Sequence, residues 1–259
     1  MATQEEKIVA GLFLSALFPL LKVVMSDNPK MKKRFDGVNA SVQFVARDSD
    51  GDIGAYFKFT DGRLDIIQGI CENPDIAFVF GSVKKMNAML AGKPAVPWIK
   101  GFFKIGLLLK VMSLLMSLTI LMPTARPTDP EKKRLKVKLT IYMMAASLSQ
   151  FNKLGNPEIR KWTSKQPERI YQFSVGDGED IASYLRIKAG QTQAGPGIYT
   201  KRHPFVHMKF KSVDDALPII HNEANMVQAV EKGYLSLEGS PEYARDIGVF
   251  MMQIQSLIM

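Results

Sequence analysis

Asn73-Pro74-Asp75-Ile76-Ala77-Phe78-Val79-Phe80-Gly81-Ser82-Val83 aligns without a gap on His203-Pro204-Phe205-Val206-His207-Met208-Lys209-Phe210-Lys211-Ser212-Val213, at an offset of 130 residues. Pro, Phe, Ser and Val recur at matching places. Each copy reads as a break at the Pro, a short strand, and a Ser placed to cap a following helix. The match extends outward. Phe44 pairs with Phe173 and Tyr56 with Tyr184 upstream, while Ile99-Lys100-Gly101 pairs with Leu237-Glu238-Gly239 and Ile105-Gly106 with Ile247-Gly248 downstream. Solenoid repeats run about 20–50 residues, so a period this long describes two whole domains.

A chain of 259 residues accommodates two such domains of about 100 residues each, with an extension and a connector. The expected boundaries are 1–35 (an N-terminal apolar helix and basic turn), 36–122 (first domain), 123–164 (a Pro-rich, basic helical connector) and 165–259 (second domain). The single cysteine, Cys71, permits no intrachain disulfide, which suits a reducing cytosol; a cytoplasmic protein peripheral to membrane is expected. Net charge is +9, and the excess is concentrated between Glu131 and Lys165, where nine Lys or Arg face only Glu131 and Glu158. That connector reads either as a solvated helix or as a patch for anionic headgroups, each basic residue being worth about 1 kcal/mol at such a surface. It has no interleaved aromatics and no nucleic-acid motif, so nucleic acid is not an expected partner.

Two runs are strongly apolar. Ile8–Val24 follows Glu5-Glu6-Lys7, is interrupted by Pro19 and Lys22, and has no small-x-small site after it, which argues against a signal peptide. In Ile105–Met122, Lys110, Ser113 and Ser117 fall at helical spacing as one narrow polar stripe. That pattern describes a deeply buried helix more simply than a membrane span.

Strands are expected at Val42–Ala46, Ile53–Phe59, Leu64–Gln68, Ile76–Phe80 and Ile99–Lys100. In the second half they fall at Tyr171–Val175, Ile181–Lys188, Phe205–Phe210 and Tyr234–Leu237. Gly190–Gly197 reads as a glycine-rich loop, 176–180 as a turn, and Lys138–Phe151 as a connector helix. The terminal helix of the second copy carries Ile247, Phe250, Met251, Ile254 and Ile258 as one apolar stripe. The first copy keeps the stripe as Ile105, Leu108, Leu109, Met112 and Met116, and adds Val111, Leu114 and Leu118 on a second face. The first module is therefore expected to bury more surface, against protein, lipid or a second chain, which makes it the expected face of a homo-oligomer.

The run Gly54-Ala55-Tyr56-Phe57-Lys58-Phe59-Thr60-Asp61-Gly62, then Asn73-Pro74-Asp75-Ile76, Ser82-Val83, Leu90-Ala91-Gly92 and Ile99-Lys100-Gly101 before an apolar helix, resembles the sterol carrier protein type 2 domain. The likeness covers roughly residues 36–118; the second copy, from about 165, keeps Pro204, Ser212, Val213, Gly233 and Gly239 but lacks the acidic residue after Pro204. The resemblance implies an α/β (α+β) protein of two tandem modules, each a five-stranded, mostly antiparallel sheet covered by helices around an apolar tunnel. It also implies non-catalytic binding of sterols, fatty acids or acyl-CoA. The closing helices would touch the ligand through Leu108, Met112 and Met116 in the first copy and Phe250, Ile254 and Ile258 in the second.

No residue pattern suggests catalysis, a metal or a cofactor. Asp48-Ser49-Asp50-Gly51-Asp52 has its Gly too early for a calcium loop, and Phe59 stands where the bidentate Glu belongs. His203 and His207 flank a strand entrance, where residues four apart lie about 13 Å from each other. Gly190–Gly197 lacks a phosphate-binding Lys-Ser/Thr. Cys71 has no His near it in sequence, and His221 beside Glu223 reads as surface. The expected function is binding and intracellular transfer of a hydrophobic lipid. The alternatives are a structural or oligomerisation module with filled tunnels, and a lipid-handling accessory to an enzyme.

Overall fold

The computed structural model describes residues 1–176 and 179–258 and divides into two compact units, Met1–Leu118 together with Ile258 at the chain's end, and Thr119–Leu257. Each is an α+β module built on its own five-stranded sheet.

In the first unit, Thr3 and Glu6 form a reciprocal capping box at the start of α1 (Gln4–Leu12). The helix then widens into one π-helical turn, Phe13–Leu17, where the Phe18 N–H reaches back five residues to the Phe13 carbonyl at 2.9 Å. The wide turn accommodates Pro19, which has no N–H to give, before α2 (Leu20–Asp27) resumes. Asn28 ends this run and caps α3 (Pro29–Arg34), with Pro29 at the first helical position. By length and composition Gln4–Asp27 could cross a membrane, yet 67% of its apolar window is buried within the protein.

Strands β1 (Ala40–Ala46), β2 (Ile53–Thr60), β3 (Arg63–Gln68), β4 (Ile76–Phe80) and β5 (Trp98–Lys100) pair in the order β3-β2-β1-β4-β5. Only β1 and β4 run parallel. Helix α4 (Val83–Leu90), capped by Ser82, follows β4, and α5 (Ile105–Met116) closes the unit. Phe18 from the π turn sits edge-on to Phe44 and Phe57, at 5.2 and 4.9 Å, and Phe44 stacks on Phe78 at 4.7 Å. These rings form the core between the N-terminal helices and the sheet, each aromatic pair adding about 0.5–1.5 kcal/mol beyond its burial.

The second unit repeats the plan. Helices α6 (Pro130–Lys153) and α7 (Pro157–Ser164) precede β6 (Arg169–Val175), β7 (Ala182–Lys188), β8 (Gln191–Pro196) and β9 (Val206–Phe210). Then come α8 (Val213–Ile220), α9 (Met226–Glu231), β10 (Leu235–Gly239) and α10 (Pro241–Ile258). The order β10-β9-β6-β7-β8 is the first sheet read from the other edge, with β6 and β9 the parallel pair. Asn156-Pro157 opens α7 as Asn28-Pro29 opens α3, 128 residues earlier.

Segment 123–164, expected as a connector, is therefore largely the helical cover of the second sheet. Helix α6 packs on β7 and β8, burying Val137, Leu139, Ile141, Ala145, Leu148 and Phe151. Ser183 on β7 donates to the Ile141 carbonyl at 2.7 Å, and Thr192 on β8 to the Ser149 carbonyl at 3.0 Å. Several of its basic residues are engaged inside the unit: Lys133 pairs with Asp214 at 2.8 Å, Arg134 with Asp180 at 3.2 Å, and Lys136 is buried.

The glycine-rich stretch expected as a loop is instead edge strand β8, paired along its length with β7. Its small residues fit because a Cβ at Gly195 would stand 2.6 Å from the Tyr184 hydroxyl oxygen. The turn expected at 176–180 lies partly outside the described residues, at 177–178. The two sheets also share a polar device: Gln43 and Gln172, at matching places on β1 and β6, are both buried. The carbonyl of Gln43 accepts from the Cys71 N–H at 2.5 Å and that of Gln172 from the Tyr199 N–H at 3.0 Å. Each glutamine thus ties the loop after its module's third strand to the central strand.

Candidate lipid-contact surface

The two closing helices treat their apolar residues differently. In α10, Ile247, Phe250, Ile254 and Ile258 of the expected stripe are buried and Met251 is half-buried, while Ala244 joins them from outside it. Phe250 meets Trp162 of α7 edge-on at 5.3 Å, and Trp162 also contacts Tyr171 and Tyr243. The Trp162 N–H is satisfied by Asp246 at 2.8 Å, and the Arg169 guanidinium lies over Phe205 and Tyr243 at 4.0 and 4.3 Å. Desolvation pushes the Tyr171 phenol well above its ordinary range, and its hydroxyl donates to Gln166 at 2.5 Å. Phe250 is thus buried within the protein against Trp162.

In α5 the expected faces are exchanged. Val111 and Leu114 are fully buried and Leu108 is half-buried, whereas Ile105, Leu109, Met112 and Met116 face solvent. Met112 and Met116 are 36% and 63% exposed, so neither points into an interior. The cause is one of register. Matching Ile105-Gly106 to Ile247-Gly248 displaces one helix along the other by six residues. Counted from the first residue of each helix, Val111, Leu114 and Leu118 fall with Ile247, Phe250 and Ile254, the inward positions of α10. Helix α5 packs by this face near α2, and Ser113 accepts from Arg34 at 2.6 Å. Its outward positions, Ile105, Leu109, Met112 and Met116, fall with Pro241, Arg245, Gly248 and Met252. The excess apolar surface of the first module is real, and it faces water.

The apolar side chains continue before the helix. Val96, Trp98, Phe102 and Phe103 are all exposed, and Trp98 pairs across the strands with Val79. These four belong to no repeated motif, so neither spacing nor the internal alignment marks them.

The two recesses described have mixed polar and apolar linings and are open rather than tunnel-like. One, of about 560 Å³, lies against the face of the second sheet remote from α6, where Glu168, Arg186, Arg202, Tyr184 and Tyr199 line it. The hydrogen bond from Arg186, at 2.8 Å, holds the Glu168 carboxyl below its ordinary range, with Arg202 and Lys188 adding to the effect. The other, of about 410 Å³, lies by the N-terminus, lined in part by Ala2, Glu6, Arg47 and Asp48. Here the Asp48-Ser49-Asp50 turn anchors the chain's start. Asp48 accepts from the Ala2 N–H at 2.7 Å, and Lys7 bridges Asp48 and Asp50.

One row has the outline of acid–base chemistry. Ser174 Oγ lies 2.7 Å from His207 Nε2, and His207 Nδ1 lies 3.8 Å from Glu238. The second separation is beyond hydrogen-bond reach, and Ser174 is buried between sheet neighbours, so the row lacks an aligned base and an accessible nucleophile. Burial lowers the His207 pKa, with Lys209 and His203 acting the same way and Glu238 opposing. His203 itself stands outside the row. Among the described residues no three His, Cys, Asp or Glu side chains converge as a metal set.

No family model matches the chain, and no curated protein matches it. Among solved structures, the stereoselective inverting sec-alkylsulfatase Pisa1 from Pseudomonas sp. aligns at 12% identity and a TM-score of 0.27, over 56% of this chain and 28% of that one. A double mutant of the same sulfatase aligns at 11% identity and a TM-score of 0.27, over 64% and 30%. The chain thus spans less than a third of either sulfatase. These likenesses bear on neither fold nor activity.

Proposed function

We propose that the protein binds and carries a hydrophobic lipid of the fatty acid, acyl-CoA or sterol-like class without catalysing a reaction on it, using the outward face of α5 as the contact surface. The observation that carries this reading is the stripe Ile105, Leu109, Met112 and Met116, left in water where the twin helix has Pro241, Arg245, Gly248 and Met252. Each buried methylene contributes about 0.8 kcal/mol, so a long chain laid along this stripe gains several kcal/mol with no polar recognition. The flexible thioethers of Met112 and Met116 adapt to chains of different shape. The order of elements shared with sterol-carrier-like domains supports the same class of ligand.

The test is native mass spectrometry for co-purified lipid, with uptake of a fluorescent fatty acid from aqueous solution. Met112→Lys and Met116→Lys should each weaken uptake about tenfold, a desolvation loss of roughly 1.4 kcal/mol. Absence of both co-purified lipid and uptake would remove the reading. A scaffold with filled interiors is the second reading, favoured in the second module by the packing of Trp162 against Phe250. It requires a stable oligomer that Leu109→Lys disrupts, which light scattering would detect.

A further inference from the structure

We propose that the β5–α5 apex of the first module docks on an anionic lipid bilayer. This goes beyond lipid carriage and does not require it. Val96, Trp98, Phe102 and Phe103 are 90%, 74%, 53% and 82% exposed, within eight residues of chain. The Phe102 and Phe103 rings lie 4.0 Å apart, so the two form a single apolar prow at the turn before α5. Gly101, at φ +74°, sets that turn. Aromatic rings at a tip, followed by a helix with an apolar outward stripe, are what the headgroup–acyl boundary accepts.

Charge decides among occupants. From Ile76 to Leu118 the chain carries six lysines (Lys84, Lys85, Lys93, Lys100, Lys104 and Lys110) and no Asp or Glu. Lys104 is paired with Asp75, while Lys93 and Lys100, flanking Val96 and Trp98 in the chain, are exposed; Lys84 and Lys85 are exposed on α4, where Lys84 borders the recess that also holds Glu6 and Asp48. A second copy of this surface would bring the same lysines against each other. An anionic bilayer supplies the opposite charge to the lysines and an apolar interior to the rings. The surface is distinct from the basic α6, whose Lys133, Arg134 and Lys136 are engaged within the second module.

The experiment is co-sedimentation of the full chain with phosphatidylcholine vesicles, with and without about 30% phosphatidylserine, and with Trp98 quenching by brominated lipid. Binding to the anionic vesicles should exceed binding to the neutral ones by about tenfold or more and fall in about 0.5 M salt. Quenching should disappear in Trp98→Phe, which retains Trp162. Phe103→Glu and Val96→Glu should each lower vesicle binding about tenfold, and the pair Lys93→Glu with Lys100→Glu by at least as much. Because these side chains are exposed, the variants should keep the wild-type melting midpoint. Failure of the wild type to bind, equal binding to both vesicle types, or unaltered binding of Phe103→Glu would overturn the proposal. So would a Phe103→Glu variant whose only change is loss of a dimer by light scattering. Fatty acid uptake from water separates the two readings: Phe103→Glu should retain it, and a wild type that docks without uptake would sink carriage and leave docking standing.

Discussion

Lys136 shows how a basic residue can be structural. Its side chain is buried on α6, and Nζ donates to the carbonyls of Ile120, Met122 and Ala125 at 2.8, 2.8 and 3.0 Å. Desolvation lowers its pKa, and the nearby Arg126 adds to the effect. An ammonium in so enclosed a place is tolerated because all three protons have acceptors. The segment from Ile120 to Ala125 in turn has three of its carbonyls satisfied by one side chain. Lys136→Met keeps most of the stem volume and removes the side-chain donor from all three carbonyls, of which Met122 keeps the Ala125 N–H at 3.0 Å. It should destabilise the protein by about 1–3 kcal/mol, read as a lower urea midpoint with little change in slope. An unchanged midpoint would mean that the carbonyls find other donors and that the Lys136 bonds add no net stability. In the sequence Lys136 is one of nine charges in a basic run; what distinguishes it is the fold of residues 120–125 around it, which no spacing rule reports.

At the scale of elements, nine of the ten strands are legible in the sequence, and the buried helix face is legible in α10 but not in α5. Two-residue alternation fixes a strand's faces within five residues, and β4 and β9 fall where the repeat places them. A helix face depends on register over a dozen residues, and one mismatched Ile-Gly pair rotates α5 in the comparison with α10. Edge strand β8 reads as a loop because Gly195 and Pro196 are the marks of one, although an edge strand tolerates both. Among the glycines that repeat between the modules are Gly101 and Gly239. At these positions φ is +74° and +94°, and an added Cβ would come within 2.0 Å of the Asp75 oxygen and 2.1 Å of the Phe205 oxygen. No side chain fits where β5 and β10 pass so close to the strand beside them. Gly101→Ala should therefore cost more than 1 kcal/mol, roughly, in thermal or urea unfolding. Gly106→Ala, in open space on α5, should stabilise by up to about 1 kcal/mol. If the two alanines behave alike, the close approach at Gly101 is not a constraint on the fold.

For the molecule as a whole, the duplicated unit is larger than the repeat that announces it. Strands and the small helix carry the alignment because their turns and caps need particular residues. The covering helices diverged because many apolar sequences cover a sheet equally well, so α1 and α2 bear little likeness to α6, and only Asn28-Pro29 and Asn156-Pro157 mark the shared plan. The outward face of α5 differs in its own way, being apolar where α10 carries Pro241, Arg245, Gly248 and Met252. The packing that covers each sheet and the apolar outward face of α5 thus draw on separate residues, and the first can be tested without the second. A fragment 119–259 retains α6 and α7 over β6–β10 and should unfold cooperatively in urea. A fragment 165–259 exposes Phe173, Leu185 and Ile187, buried in the whole chain, and deprives Ser183 and Thr192 of their α6 acceptors. It should aggregate, or show a broad transition with weak near-ultraviolet dichroism, because its sheet has lost the cover that supplies its core. Cooperative unfolding of 165–259 would return 123–164 to the role of a connector and shorten the repeating unit to its sheet and closing helix.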